Sequence, residues 1–199
     1  PTLSELLMIK HILFDCDGVL IDTEIVAAEV VSGWLNTQGM SITVDDFILN
    51  YTGKTFTDII GILKAEKYLP ESLDTLTIVP TLDRGIKDNM RPINGVHQML
   101  ASIKTPVSAV SNSAKDYVLE ALDMLQVGEQ FGGRVFSAEM VPKGKPNPAV
   151  YELALETLGL NKEEVIVVED SVAGVTASVG AGLKTIGYLG GSHIRAGHA

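Results

Sequence analysis

The sequence predicts an α/β protein, a parallel sheet flanked by helices with a purely helical stretch inserted after the first strand. Three observations predict it. Short apolar or β-branched runs (Ile12-Leu13-Phe14, Val107-Ser108-Ala109-Val110 and Val165-Ile166-Val167-Val168) each end in small polar or acidic residues and lead into helix-like segments. Beyond residue 91, strand-like and helix-like stretches alternate, as in a parallel sheet covered on both faces. Between residues 23 and 90, apolar residues recur only at helical spacing. Together these give a Rossmann-like core of residues 1–22 and 91–199, interrupted by an all-helical domain at 23–90.

Taken in order, Ile12 to Phe14 form the first strand, followed by Asp15-Cys16-Asp17-Gly18. Thr23 is a candidate N-cap for a helix whose apolar face carries Ile25, Ala28, Val31, Trp34 and Leu35. Residues 36–39 end it. Thr43 to Asp46 open a second helix with Phe47, Ile48 and Tyr51 on its core face. Gly53-Lys54-Thr55 is a break, Phe56 to Leu69 mark a third helix, and residues 73–90 a fourth. Asn94-Gly95 turns the chain back. Helices are then expected at 96–103, 114–125, 147–158 and 172–180, and strands at 106–110, 135–136, 165–168 and 185–188.

Composition narrows the function. With 46% hydrophobic and 20% charged residues the chain can bury a core. A formal charge of −10 excludes a nucleic-acid face, which needs clustered Lys and Arg. No apolar run has the length of a membrane helix. The single cysteine, Cys16, permits no internal disulfide and fits a reducing, cytoplasmic setting; it reads as a packed thiol. The start lacks the pattern of a secretory signal. Met8 looks like a natural start, which would make residues 1–7 upstream sequence. His11, His97, His193 and His198 lack metal-ligand spacing and read as structural or exposed.

The strand ends carry the chemistry. Burying charge costs several kcal/mol or more unless it is paired or metal-bound, so Asp15 and Asp17 at a strand end beside a glycine point to a site. In an open α/β sheet, ligands bind beyond the carboxyl ends of the strands. Taken alone, the two acids also fit a turn cap. Ser111-Asn112-Ser113 and Glu169-Asp170 repeat the pattern at two other strand ends. Taken alone, Glu169-Asp170 fits a helix N-terminal pair favoured by the dipole, and Ser111 or Ser113 a helix N-cap, the expected role of Ser113.

Asp15-Cys16-Asp17-Gly18-Val19, Ser111-Asn112-Ser113, Lys145-Pro146 and Glu169-Asp170 resemble, in order and spacing, the four motifs of the haloacid dehalogenase (HAD) superfamily. The similarity spans about residues 10–191. The subgroup it resembles comprises the phosphatases and β-phosphoglucomutases with a helical cap. Family members usually continue with a further strand and helix, so an end at Ala199 suggests truncation or an unusual sheet edge.

The resemblance implies a phosphatase of small phosphorylated metabolites, sugar or polyol phosphates, acting through an aspartyl-phosphate. Asp15 would be the nucleophile and Asp17 the general acid and base. Mg²⁺ would be held by Asp15, the Asp17 main-chain carbonyl and Asp170, with Glu169 in direct contact or one layer out. Ser111 and the amides around Asn112 would hold phosphate oxygens. Lys145, with Pro146 at the first helical position, would pair Asp15 and the phosphate; Lys143 is a competitor that reads as surface charge. Gly53 and Lys54 fall where family members point a loop at the substrate, although a solvated loop lysine is the competing reading. The expected partner is a small phosphorylated metabolite, with no nucleic acid or membrane, and the expected state a monomer or weak homodimer.

Three other functions compete. A phospho-receiver module needs no helical insertion. Dehalogenases of the superfamily generally lack the second acid, Asp17. The mutases it resembles carry a histidine where this chain has Ala27, and an arginine where it has Phe56. Hydrolysis is therefore the expectation and a β-phosphoglucomutase-type activity the alternative.

Overall fold

A computed structural model describes residues 9–52 and 54–192. The expectations for residues 1–7, Gly53, His193 and His198 lie outside the described residues. The chain forms two compact units, one holding the chain up to Asp22 and from Pro92 onward, the other Thr23–Arg91.

Among the described residues the second unit has four helices, α1 (Thr23–Thr37), α2 (Val44–Tyr51), α3 (Phe56–Ala65) and α4 (Thr75–Asp88). Their starts follow local capping chemistry. Thr43 accepts from the Asp46 amide while the Asp46 carboxylate accepts from the Thr43 amide, a reciprocal capping box. Thr55 caps α3 through Asp58 N–H, and Asp74 caps α4 through Leu76 N–H, which leaves Leu73 outside the helix. Ile25, Val31, Leu35, Phe47, Ile60 and Leu63 are among the side chains of its apolar core. Arg91 closes the unit with a two-pronged bond to Glu29.

Among the described residues the first unit is a five-stranded, all-parallel sheet in the order β3-β2-β1-β4-β5, where β1 is His11–Phe14, β2 Val107–Ser111, β3 Val135–Ser137, β4 Val165–Glu169 and β5 Lys184–Gly187. Its helices are α5 (Val96–Ser102), α6 (Lys115–Met124), the single turn α7 (Gly128–Phe131), α8 (Ala149–Leu158) and α9 (Val172–Gly180). Alternation along the strands divides the faces. Leu13, Val110, Val165 and Val167 pack with Tyr151 and Ala154 of α8 and Ala177 of α9. Ile12, Phe14, Ile166, Val168 and Ile186 line, with Val96 and Met99 of α5, an apolar hollow of about 330 Å³. Among the described residues no helix is long and apolar enough to cross a membrane.

Two expectations for this unit change. Turn α7 is additional, anchored by the buried Phe131. Helix α8 begins at Ala149 rather than 147, and Pro146 is not at its first position. The Lys145–Pro146 peptide is cis, and a turn from Gly144 to Asn147, closed by the Asn147 amide on Gly144 O (3.0 Å), precedes the helix.

Candidate active site

Register brings the polar strand ends together. Phe14 lies level with Ala109 on one side and Val168 on the other, so the next residue, Asp15, emerges between Val110 of β2 and Glu169, the last residue of β4. Its amide bonds Val168 O at 2.9 Å. Gly18 then reverses the chain at φ 82°, a left-handed conformation that favours glycine, and a Cβ there would stand 1.8 Å from Asp170 Oδ2. The tight turn and the approach of Asp170 thus depend on the same residue.

Lys145 is the hub. Its Nζ donates to Asp15 Oδ1 (2.6 Å), Glu169 Oε1 (2.6 Å) and Val110 O (2.8 Å), which occupies all three ammonium protons. The ammonium also lies 5.3 Å from the centre of the Tyr151 ring. Burial pulls the lysine's pKa down, but Asp15 and Glu169 outweigh it and hold it above the ordinary value. Burial pushes Asp15 up, to about 8, with Lys145 opposing and Glu169 adding. Cys16, buried beside Asp17 and Asp15, is raised well above an ordinary thiol, which fits an inert packed side chain.

Glu169 is fully buried. Its Oε1 accepts from Lys145 and from Tyr151 Oη (3.1 Å); its Oε2 accepts from the Ser171 amide and hydroxyl, both at 3.1 Å. Ser171 also caps α9 through Gly174 N–H. A Cβ on Gly174 would fall 1.6 Å from Glu169 Oε1, so that turn of α9 has to be glycine. Asp15, Glu169 and Asp170 each offer an oxygen, all within 4.8 Å of one another, a donor set suited to a hard cation. With four donors already on Glu169, Asp15 and Asp170 are the carboxylates best disposed for direct contact.

Asp17 faces the serines of the second motif. Ser113 Oγ donates to Asp17 Oδ2 at 2.9 Å, and Ser111 Oγ stands 3.5 Å from the same oxygen. Ser113 is therefore not a helix cap. Ala114 holds that place without a side-chain bond, and Ser137 Oγ fixes the Ser113 carbonyl at 2.7 Å. A long-range carboxylate has outcompeted the local helix end. Asn112 turns its carboxamide onto the main chain of Lys145. Lys54 belongs to the helical unit, where its ammonium donates to Asn50 O at 3.0 Å. His11 bonds Ser108 at 2.8 Å and His97 bonds Leu125 O at 2.8 Å, both structural.

Ser113, Tyr151, Ser171 and Gly174 escape a reading based on motif spacing. Tyr151 carries the most legible signal, since a hydroxyl on the buried face of an apolar helix needs a partner.

The sequence matches the haloacid dehalogenase-like hydrolase family over residues 12–188. It is 25% identical over 187 residues to 6-phosphogluconate phosphatase of Escherichia coli (strain K12), covering 93% of this chain and 85% of that one. It is 29% identical over 191 residues to a phosphorylated carbohydrates phosphatase of Thermotoga maritima, covering 89% and 83%. Its fold superposes on a HAD family hydrolase from Deinococcus radiodurans R1, crystallised with bound phosphate and sodium, with a TM-score of 0.80 at 27% identity, covering 90% of this chain and 80% of that one. With the match running from the first strand through the last, this chain belongs to the haloacid dehalogenase-like hydrolases.

Proposed function

We propose that this protein is a Mg²⁺-dependent phosphatase of small phosphorylated carbohydrates, sugar or polyol phosphates, working through a phosphorylated Asp15. The observation that carries the reading is the pair of acids after β1 with two different environments. Asp15 is buried against Lys145, while Asp17 is held by Ser113. A division of labour between two carboxylates needs such a difference. The names of the two phosphatase relatives support the substrate class, and the bound phosphate of the Deinococcus hydrolase supports a phosphate site in this fold.

Asp15 attacks phosphorus through a carboxylate oxygen, forming an acyl phosphate as the phosphorus–alkoxide bond breaks. Asp17 gives its proton to the departing alkoxide, then takes one from water. The water oxygen displaces Asp15 from phosphorus and releases inorganic phosphate. Proton transfer of this kind is worth roughly 10²–10⁴-fold. Ser111 and the amides that follow it hold phosphate oxygens. For Lys145 to touch the phosphate it must exchange one of its three present bonds; as it stands it neutralises Asp15 and Glu169. Mg²⁺, held by Asp15, Asp170 and the Asp17 carbonyl, would supply charge neutralisation to a cluster of four carboxylates and one ammonium. The helical unit Thr23–Arg91 would act as the cap that selects the substrate, through its loops and Gly53-Lys54.

Phosphate release from a panel of phosphorylated sugars, sugar acids and polyols tests this. Activity should require Mg²⁺ and fall to background in Asp15→Asn. Turnover undiminished by a chelator, or by Asp15→Asn, would overturn the mechanism. With β-glucose 1-phosphate and a bisphosphate primer, inorganic phosphate should appear; rapid glucose 6-phosphate formation without phosphate release would instead make it a mutase.

A further inference from the structure

We infer that Asn112 is a positioning residue for Lys145, setting the place of its ammonium for every substrate alike, an inference that rests on the reading of Lys145 as part of a phosphoryl-transfer site. The Asn112 carboxamide makes a two-bond ring with the Lys145 main chain. Oδ1 accepts from Lys145 N–H at 2.8 Å, and Nδ2 donates to Lys145 O at 3.1 Å. The pairing resembles a rung between two strands, with a side chain standing in for one of them. It needs a donor and an acceptor a fixed distance from the backbone. Aspartate lacks the donor, serine is too short, and glutamine is longer by a methylene.

Two further features are built around this clamp. Lys145 is held by the end of β2 at both extremes of the residue, its main chain by Asn112 and its Nζ by Val110 O at 2.8 Å. Val110 belongs to β2 and Asn112 to the bend that directly follows it, so one short stretch of chain grips both. A Cβ on Gly144 would come 2.6 Å from Asn112 Oδ1 and 2.8 Å from the Ala138 Cβ, so the residue before Lys145 has to be glycine for the carboxamide to reach. Its acceptor and one donor are committed to Lys145, which leaves one Nδ2 proton outside the ring. The buried ammonium, 2.6 Å from two carboxylates, is sensitive to small displacements of its main chain. Misplacement by about 1 Å can cost on the order of 10²-fold in rate.

The test is Asn112→Ala and the near-isosteric Asn112→Asp, read in two ways. The first is the ¹⁵N–¹H resonance of the Lys145 ammonium, assigned by its absence in Lys145→Arg. It should shift or broaden in both variants, and in Asn112→Asp alone if the alanine variant fails to fold. A resonance at its wild-type position in a folded variant would overturn the inference. The second is kinetic. For chemically different phosphomonoesters, kcat should fall by the same factor, about 10–100-fold, with KM within about twofold. A loss varying more than tenfold between substrates would make Asn112 a substrate contact and sink the positioning role. Failure of the wild-type protein to hydrolyse phosphomonoesters would count against the proposed function, and the ammonium resonance would still decide whether Asn112 sets Lys145.

Discussion

Each unit contains a cation shared with carboxylate oxygens, and the two arrangements differ in burial. In the α/β unit, Lys145 has 3% of its side chain exposed and bridges Asp15 and Glu169, themselves 10% and 0% exposed. In the helical unit, Arg91 grips Glu29 at 2.8 and 2.9 Å with 43% of each side chain in solvent. The second costs little to make and contributes little, typically under 1 kcal/mol. The first requires three charges to leave water, an expense that well-packed apolar residues would avoid. The buried polar groups follow the same division. Among the described residues they include His11, Asp15, Asp22, Ser108, Ser111, Ser137, Lys145, Glu169 and Ser178 in the α/β unit, against Ser32 in the helical one. The buried charges thus gather where the proposed chemistry would take place, while the core of the helical unit is apolar side chains at helical spacing.

The contrast breaks first at its cations. Lys145→Met leaves Asp15 and Glu169 buried without a counter-charge and should cost about 3–5 kcal/mol, together with nearly all activity. Arg91→Met should cost less than about 1 kcal/mol. Urea unfolding of the two variants checks this, and similar losses from both would erase the distinction between the units. Next in size, Asp17→Asn should lower kcat by roughly 10²-fold or more while substrate affinity is kept. An effect confined to KM would remove Asp17 from proton transfer.

How much of this was legible in the sequence depended on whether the rule was local. Asp15, Ser111, Glu169 and Asp170 are legible at the strand ends because each ends or directly follows a short apolar or β-branched run, whereas Lys145, well beyond β3, is legible only through the family resemblance. The capping box at Thr43 was legible because its rule is local. Ser113, Asn112 and Pro146 were misjudged or incompletely read. Ser113 and Asn112 each obey a contact with a distant segment rather than their neighbours: Ser113 answers Asp17, 96 residues away, and Asn112 answers Lys145, 33 away; Pro146 instead sits in the local turn from Gly144 to Asn147 that precedes α8. Local propensity offered Ser113 a helix end worth about 1 kcal/mol, and a hydrogen bond to a carboxylate is worth about 1.5–3 kcal/mol. The stronger bond won. Glu169 shows the limit from another side. Its acidic character points to metal binding, but its contacts with Lys145 and with Tyr151 are visible only once α8 is laid on the sheet.

A smaller effect lies at the opposite end of β1. His11 is buried against Ser108, and burial, aided by the Arg134 charge, lowers its pKa from 6.5 to about 4. The folded state therefore favours neutral imidazole. The associated stability is fully present above pH 6.5 and is lost as pH falls from there through about 4, a loss of up to about 3 kcal/mol. Other groups titrate in this range, so the readout is a difference: His11→Gln should flatten the wild-type decline in unfolding free energy between those pH values. Parallel curves would mean that His11 is protonated in the folded protein.

The smallest effect sharpens the comparison by matching two hydroxyls. Thr43 of the helical unit caps α2 in an exposed reciprocal box with Asp46, and all of its bonds remain within four residues. Ser113 of the α/β unit gives its hydroxyl to Asp17 and caps nothing. Thr43→Ala should therefore cost about 1 kcal/mol of stability with kcat unchanged, since what is lost is satisfaction of a helix N-terminus. Ser113→Ala should differ in its rate: it gives up a hydrogen bond to a carboxylate, worth about 1.5–3 kcal/mol, and kcat falls as Asp17 loses the donor that orients it. Thermal unfolding and initial rates on both variants separate the cases. A Ser113→Ala protein destabilised as much as Thr43→Ala, with its rate intact, would return Ser113 to the role of a helix cap and leave Asp17 oriented by Ser111 and its own turn.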